Sequence, residues 1–223
     1  MTEKRKPRHL KAVGGAKPWN AGRKLPPEIL TEAEVRALIH ASSGRAPTGI
    51  RNRALVVILY RAGLRLAEAL ALGVKDVDLA QGTICVMHGK GDRQRTVGID
   101  PASAALIERW LQVRRERGIK RSAPLFCTLA GKAIADQYVR QALPRLARRA
   151  GIDKRVHPHG LRHTHAAELA REGVPVNMIQ AQLGHSSLAT TDRYLRHIAP
   201  EELVRVMQQR SWEAPDAEAA GGG

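Results

Sequence analysis

At 223 residues, 43% of them hydrophobic, the chain is long enough to bury a sizeable core as one domain or two. Its 37 Lys and Arg against 21 Asp and Glu leave a formal net charge of +16, a balance that suits a polyanionic partner, nucleic acid above all. Aromatic residues make up only 3%, with Phe126 the single phenylalanine, which argues against a stacking platform for single strands and for a duplex held through its phosphates.

Residues 1–30 carry neither a helical nor a strand period. Between Met1 and Lys24, eight cations (Lys4, Arg5, Lys6, Arg8, Lys11, Lys17, Arg23, Lys24) stand against Glu3 alone, and Gly14, Gly15, Pro18, Pro26 and Pro27 interrupt any element. This reads as a flexible basic arm able to lie along DNA phosphates, with a solubilising tail as the plain alternative. No apolar run is long enough to span a bilayer and the N-terminus has no apolar signal core, so the expected compartment is the cytoplasm and no membrane partner is expected. Cys85 and Cys127, far apart in apolar surroundings, read as reduced core residues.

The folded part is expected to run over 31–212. Thr31 and Glu34 form a capping box ahead of a helix whose apolar face is Val35, Leu38 and Ile39. Arg45–Gly49 reads as a loop, Asn52–Ala62 as a strongly apolar helix ended by Gly63, and Leu64–Leu72 as a further helix. Asp76–Leu79 reads as a connector. Thr83–Met87 and Arg95–Ile99 are β-rich and flank the Gly-rich turn His88–Arg93, predicting a small antiparallel unit. Pro101 opens a helix to about Arg117. Leu125–Cys127 is a short extended piece, and Ile134–Ala150 a basic helix with Pro144 as its expected kink. Helices follow from His157 onward, broken at Gly173–Pro175 and at Gly184. Glu201–Trp212 is an amphipathic helix, and 213–223 an acidic, then Gly-rich, disordered tail. No internal repeat is present. The expected fold class is mainly α with a small antiparallel β-sheet (α+β).

Several residues in this frame have chemical potential, each with an ordinary reading beside it. His159 and Arg162 share a helix face at i, i+3 and could be a surface pair. Arg65, just after Gly63, could simply pair with Glu68. Lys90 sits in the turn Gly89-Lys90-Gly91-Asp92, where a lysine is usually solvated; the Walker pattern is absent. His185 follows Gly184, and Tyr194 is one of three tyrosines.

Taken in order, however, these residues form a set. Gly-Leu-Arg with Glu68, Gly-Lys-Gly in a hairpin, Leu-Arg-His-Thr after His159, Leu-Gly-His-Ser-Ser, and Thr-Thr-x-x-Tyr resemble the tyrosine recombinases, the phage integrase family. The match is close from His159 to Tyr194 and looser from about Leu30, and all six catalytic positions find their residue type. The resemblance implies a tyrosine recombinase catalytic domain over 31–212. It further implies that Tyr194 attacks the scissile phosphate to give a 3′-phosphotyrosyl link, which stores the phosphodiester energy for rejoining. By the same resemblance Arg65 and Arg162 grip the non-bridging oxygens, Lys90 is the general acid and His159 the general base. His185 donates to a phosphate oxygen, and Glu68 supports Arg65. Such a set requires no metal and no cofactor. The expected function is site-specific recombination of double-stranded DNA (integration, excision or inversion of a mobile element) by a homo-oligomer, dimer or tetramer, on DNA. Most members carry a helical DNA-clamping domain ahead of the catalytic one. Only the basic arm precedes Thr31 here, so the chain resembles the single-domain members such as the fimbrial phase-switch invertases.

Two other readings stand beside this one. His157, His159, His163 and His165 fall within nine residues, and His159 and His163 have the i, i+4 spacing of a zinc pair, as a metal-dependent nuclease would need. A non-catalytic DNA-binding protein would account for the charge but not for Tyr194 and the ordered cations.

Overall fold

A reciprocal cap opens the first helix. Thr31 Oγ1 accepts from Glu34 N at 3.2 Å, and Glu34 Oε2 accepts from Thr31 N at 2.6 Å. The computed structural model describes residues 28–87, 94–184, 204 and 207–210. Residues 28–30, placed with the arm in the sequence reading, are tied to the body: Leu30 is buried and its N–H donates to Thr164 Oγ1 at 3.1 Å. Helix α1 (Glu32–His40) buries Val35 and Leu38.

Helix α2 (Pro47–Arg61) starts inside the expected loop. Pro47 lies in the first turn, where a missing N–H costs nothing. Gly49 is present for space: a Cβ on it would lie 2.3 Å from Ser43 O. From Ala54 to Tyr60 every residue of α2 is buried, which makes it the central helix. It packs against α4 (Pro101–Glu116) and α6 (Pro158–Arg171). Each fully buried Leu or Ile here contributes roughly 1.5–3 kcal/mol.

Helix α3 (Leu66–Ala71) begins two residues later than expected, because Arg65 is extended, at φ −66° and ψ 149°. A single 3-10 turn (Val74–Asp76) leads into strand β1 (Val77–Asp78), so the expected connector supplies a third strand. Strands β2 (Thr83–Met87) and β3 (Gln94–Gly98) complete an antiparallel sheet in the order β1-β2-β3, with Ile84 opposite Val97 and Val86 opposite Arg95. Ile84, Val86 and Val97 point into the core. The alternation that buries them turns Cys85 to the other face, so the expectation of two core cysteines holds for Cys127 alone. Cys85 is only half-buried, and both thiols are free.

In α4, Asp100 caps the first turn by accepting from Ser103 N at 3.0 Å. Trp110 is fully buried and donates its indole N–H to Leu125 O at 2.7 Å. Arg114, also buried, donates to the carbonyls of Lys120, Ala123 and Leu125 and so fixes the 120–127 segment. That segment joins its neighbours by isolated bridges, Gly73 to Pro124 and Cys127 to Ala133. Helix α5 (Asp136–Arg149) continues past Pro144, buries Val139, Leu143 and Leu146, and exposes Arg140, Arg145, Arg148 and Arg149.

Helices α6 and α7 (Val176–Leu183) are separated at Gly173, where φ is +77°. A second small core of Ala166, Ile179 and Leu183 joins them. The described residues thus give a mainly helical chain with one small antiparallel sheet. Of the helix expected over 201–212, residue 204 and residues 207–209 are helical and exposed, Arg210 is exposed and non-helical, and 201–203, 205, 206, 211 and 212 lie outside the described residues, as do 1–27 and the tail. Among the described residues no helix is long and apolar enough to cross a membrane.

Candidate active site

The turn between α2 and α3 delivers Arg65. Gly63 takes φ +61°, and a Cβ there would lie 2.7 Å from His165 Cδ2, so the turn needs glycine for both conformation and space. Leu64 is buried, and Arg65 emerges with its side chain 46% exposed. Its Nη1 donates to Glu68 Oε1 at 2.8 Å, its backbone N–H to Glu68 Oε2 at 2.9 Å, and its Nη2 to Gly184 O at 3.2 Å.

Helix α6 delivers His159 and Arg162. His157 caps it, Nδ1 accepting from Gly160 N at 3.1 Å, with Pro158 in the first turn. His159 is exposed one step inside this cap, and one helical turn further Arg162 is 1% exposed. Arg162 Nη1 donates to Gly63 O at 2.6 Å and Nη2 to Leu183 O at 2.7 Å. Partial desolvation of the ring, although the residue is exposed, together with the charges of Arg162 and Arg65 holds His159 below the usual imidazole range. A neutral ring can take a proton, as a base must.

Like charges placed this close repel, so their grouping needs a cause. Helix α7 ends at Leu183, and its last carbonyls carry the negative end of the helix dipole. Glu68 supplies a full negative charge. Burial works against that charge, yet the hydrogen bonds from Arg95 and Arg65 outweigh it and hold the carboxyl at about 2. The guanidinium groups of Arg65, Arg162 and Arg95 against the one carboxylate of Glu68 leave two net positive charges. That excess suits a phosphodiester anion whose charge grows as it is attacked.

The structure therefore brings together Arg65, Glu68, His159 and Arg162. Lys90 falls in the stretch 88–93 that separates β2 from β3 in sequence, and His185 follows directly on Gly184; both, with Tyr194 and the arm cations Lys4 to Lys24, lie outside the described residues. Arg95 was missed. Its signal was a cation in phase with the inward Val97 and Ile99, an unusual place for a charge unless something inside pairs with it. A groove of about 750 Å³, lined by Val35, Tyr60, Arg61, Asp100 and Glu168, includes none of the site residues.

The four clustered histidines do not act as one group. His157 uses Nδ1 on the helix cap. His159 and His163 meet edge to face, with ring centres 4.3 Å apart. His165 is buried, 3% exposed. Among the described residues no three His, Cys, Asp or Glu side chains converge as metal ligands.

The model of the phage integrase family matches residues 28–201. The chain belongs to the phage integrase family. Among curated integrase-family relatives it is 38% identical over 186 residues to tyrosine recombinase XerC of Xanthomonas axonopodis pv. citri (strain 306), covering 83% of this chain and 59% of that protein. It is 34% identical over 191 residues to tyrosine recombinase XerC of Lactobacillus leichmannii, covering 84% and 64%. The chain thus spans about three fifths of the length of these relatives. Among solved structures, the XerA recombinase superposes with a TM-score of 0.74 at 32% identity, over 88% of this chain and 70% of that one. The XerH site-specific recombinase in a post-cleavage complex with a palindromic difH substrate gives 0.70 at 30%, over 86% and 56%.

Proposed function

We propose that this chain is a tyrosine-type site-specific DNA recombinase, cleaving and rejoining duplex DNA through a 3′-phosphotyrosyl intermediate to integrate, excise or invert a DNA element. The observation that carries the reading is the pairing of Arg65 and Arg162 on the end of α7, with His159 exposed beside them. The names of the relatives and the DNA complex of XerH support it.

The chemistry assigned to the residues is as follows. Arg65 and Arg162 hold the non-bridging oxygens of the scissile phosphate, where two-pronged donors fit best. The Tyr194 oxygen attacks phosphorus as its proton passes to His159. The bond from phosphorus to the 5′-oxygen breaks, and Lys90 protonates the leaving oxygen. His185 donates to a phosphate oxygen, and Glu68 orients Arg65. Rejoining runs the same steps backward with a 5′-hydroxyl as nucleophile. The catalytic domain is assigned to 31–212 and phosphate contacts to the arm. The working form is assigned as a homo-oligomer on DNA in the cytoplasm, without metal or cofactor.

Covalent capture tests the reading. A pool of nicked duplexes with a randomised core is incubated with the protein, and denatured adducts are recovered and mapped. The expected result is a DNA adduct on Tyr194 that Tyr194→Phe abolishes while duplex binding persists. An adduct formed by the Phe variant, or none by the wild type, would overturn the assignment.

A further inference from the structure

Glu68 is a buried carboxylate at the centre of the site, and Arg65 alone does not hold it in place. Arg95 on β3 grips it with a two-pronged contact, Nη1 to Oε1 at 3.1 Å and Nη2 to Oε2 at 2.8 Å. Both side chains are nearly buried, 11% exposed for Arg95 and 9% for Glu68. The same two oxygens accept the backbone and guanidinium N–H of Arg65.

On its other side Arg95 meets Gly184. A Cβ on that glycine would lie 2.7 Å from Arg95 Cζ, so the guanidinium rests directly on the backbone there. Gly184 O is also where Arg65 Nη2 is bound. Arg95 thus touches both groups that fix the Arg65 side chain, the carboxylate and the residue carrying the carbonyl. Gln182 holds β3 in place for this contact, accepting from Gly98 N at 3.1 Å and donating to Gly98 O at 3.0 Å.

We propose that Arg95 is a positioning residue that sets the Arg65 guanidinium for phosphate binding by clamping Glu68 and Gly184 on either side of it. This rests on the reading of Arg65 as a phosphate ligand. Only arginine fits the role: a lysine ammonium is a single point and cannot bond both carboxylate oxygens in a planar fork. A side chain acting through another should lower the rate of attack and leave duplex affinity, spread over many phosphates, almost unchanged.

The test uses the duplex captured by the wild-type protein and compares Arg95→Lys, Arg65→Lys and the double variant. Arg95→Lys is expected to slow single-turnover adduct formation on the order of 10²-fold, the scale of a misplaced catalytic contact. The double variant is expected to be no slower than Arg65→Lys alone, since both changes act on one guanidinium. A duplex with an uncharged methylphosphonate at the scissile position supplies a readout that a general structural defect would not move. With less charge to hold, the gap between wild type and Arg95→Lys is expected to narrow. A wild-type rate for Arg95→Lys, losses that multiply in the double variant, or an unchanged gap on the neutral probe would each overturn the proposal. Should Arg95→Lys fail to fold, Arg95→Gln with Glu68→Gln leaves neither charge of this pair buried alone, and the same expectations apply. If the wild type itself captures no duplex, the recombinase reading fails and this inference falls with it; if it does and Arg95→Lys cleaves normally, this inference alone fails.

Discussion

Arg162 and Arg65 are bound to consecutive carbonyls at the end of one helix, Arg162 Nη2 to Leu183 O at 2.7 Å and Arg65 Nη2 to Gly184 O at 3.2 Å. One arginine arrives from the start of α3 and the other from the first turns of α6, so three elements meet at two peptide groups. Residue 185 is the next along the chain. Any shift of the α7 end would disturb both cations together.

Gly63→Ala should destabilise the fold and slow adduct formation together. The residue takes φ +61°, and its new Cβ would press on His165 Cδ2 at 2.7 Å and Leu183 Cδ2 at 2.8 Å. A left-handed conformation forced on a side chain costs about 1–3 kcal/mol before the clash is added. Gly63 O also accepts from Arg162 Nη1, so the relief movement displaces that guanidinium. Urea unfolding and single-turnover rates measure the two effects, and a variant as stable and as fast as wild type would contradict the geometry.

His165 should impose a pH dependence on stability. Burial first, then the charges of Arg61 and Arg162, lower its imidazole to about 4, against which Asp100 pulls upward. Neither ring nitrogen has a hydrogen-bond partner. The unfolded chain takes up a proton near the ordinary value of about 6.5, while the folded chain does not until about 4. The contribution is therefore complete above about 6.5 and is lost as pH falls from there toward 4, by on the order of 3 kcal/mol at most. His165→Phe keeps an apolar ring against Gly63 and Leu183 and removes the titration. Its unfolding free energy should change less across this window than that of the wild type, and parallel curves would refute the assignment.

Cleavage should survive EDTA, because guanidinium groups supply the positive charge at the phosphate. Loss of activity in chelator, restored by zinc or manganese, would favour the nuclease reading of the 157–165 histidines instead.

The arm is tested by deleting residues 1–24. Its eight cations are expected to bind phosphates, so affinity should fall on unrelated duplexes alike and the salt dependence should flatten by up to roughly 0.9 per lost contact. Equal affinity and equal salt slope would make the arm a tail.

What the sequence disclosed followed from local chemistry. The Thr31–Glu34 cap, the apolar run of α2, the β2–β3 pair and the start of α6 all depend on residues a few positions apart, and each was readable. The errors have local causes too. Arg45–Gly49 was read as a loop although α2 begins at Pro47 and Gly49 answers a close approach of Ser43, and β1 is two residues long, too short for any period to register. Cys85 was placed in the core from its apolar neighbours, although strand alternation turns it outward. The candidate site was legible as an ordered list of residue types, and Arg65, Glu68, His159 and Arg162 do meet. What holds them was not legible. Arg95 reaches Glu68 across 27 positions and Gln182 reaches Gly98 across 84. No periodicity encodes such contacts.

The Gln182 clamp has a second effect. Strand β3 forms one border of a three-stranded sheet, and a border strand offers unpaired N–H and C=O groups to any passing chain. At Gly98, which has no side chain to obstruct a newcomer, both groups are already engaged by a side-chain amide that imitates a neighbouring peptide. For a protein proposed to gather in several copies on one DNA site, this blocks sheet-to-sheet adhesion at that point and leaves other surfaces to govern how the copies meet.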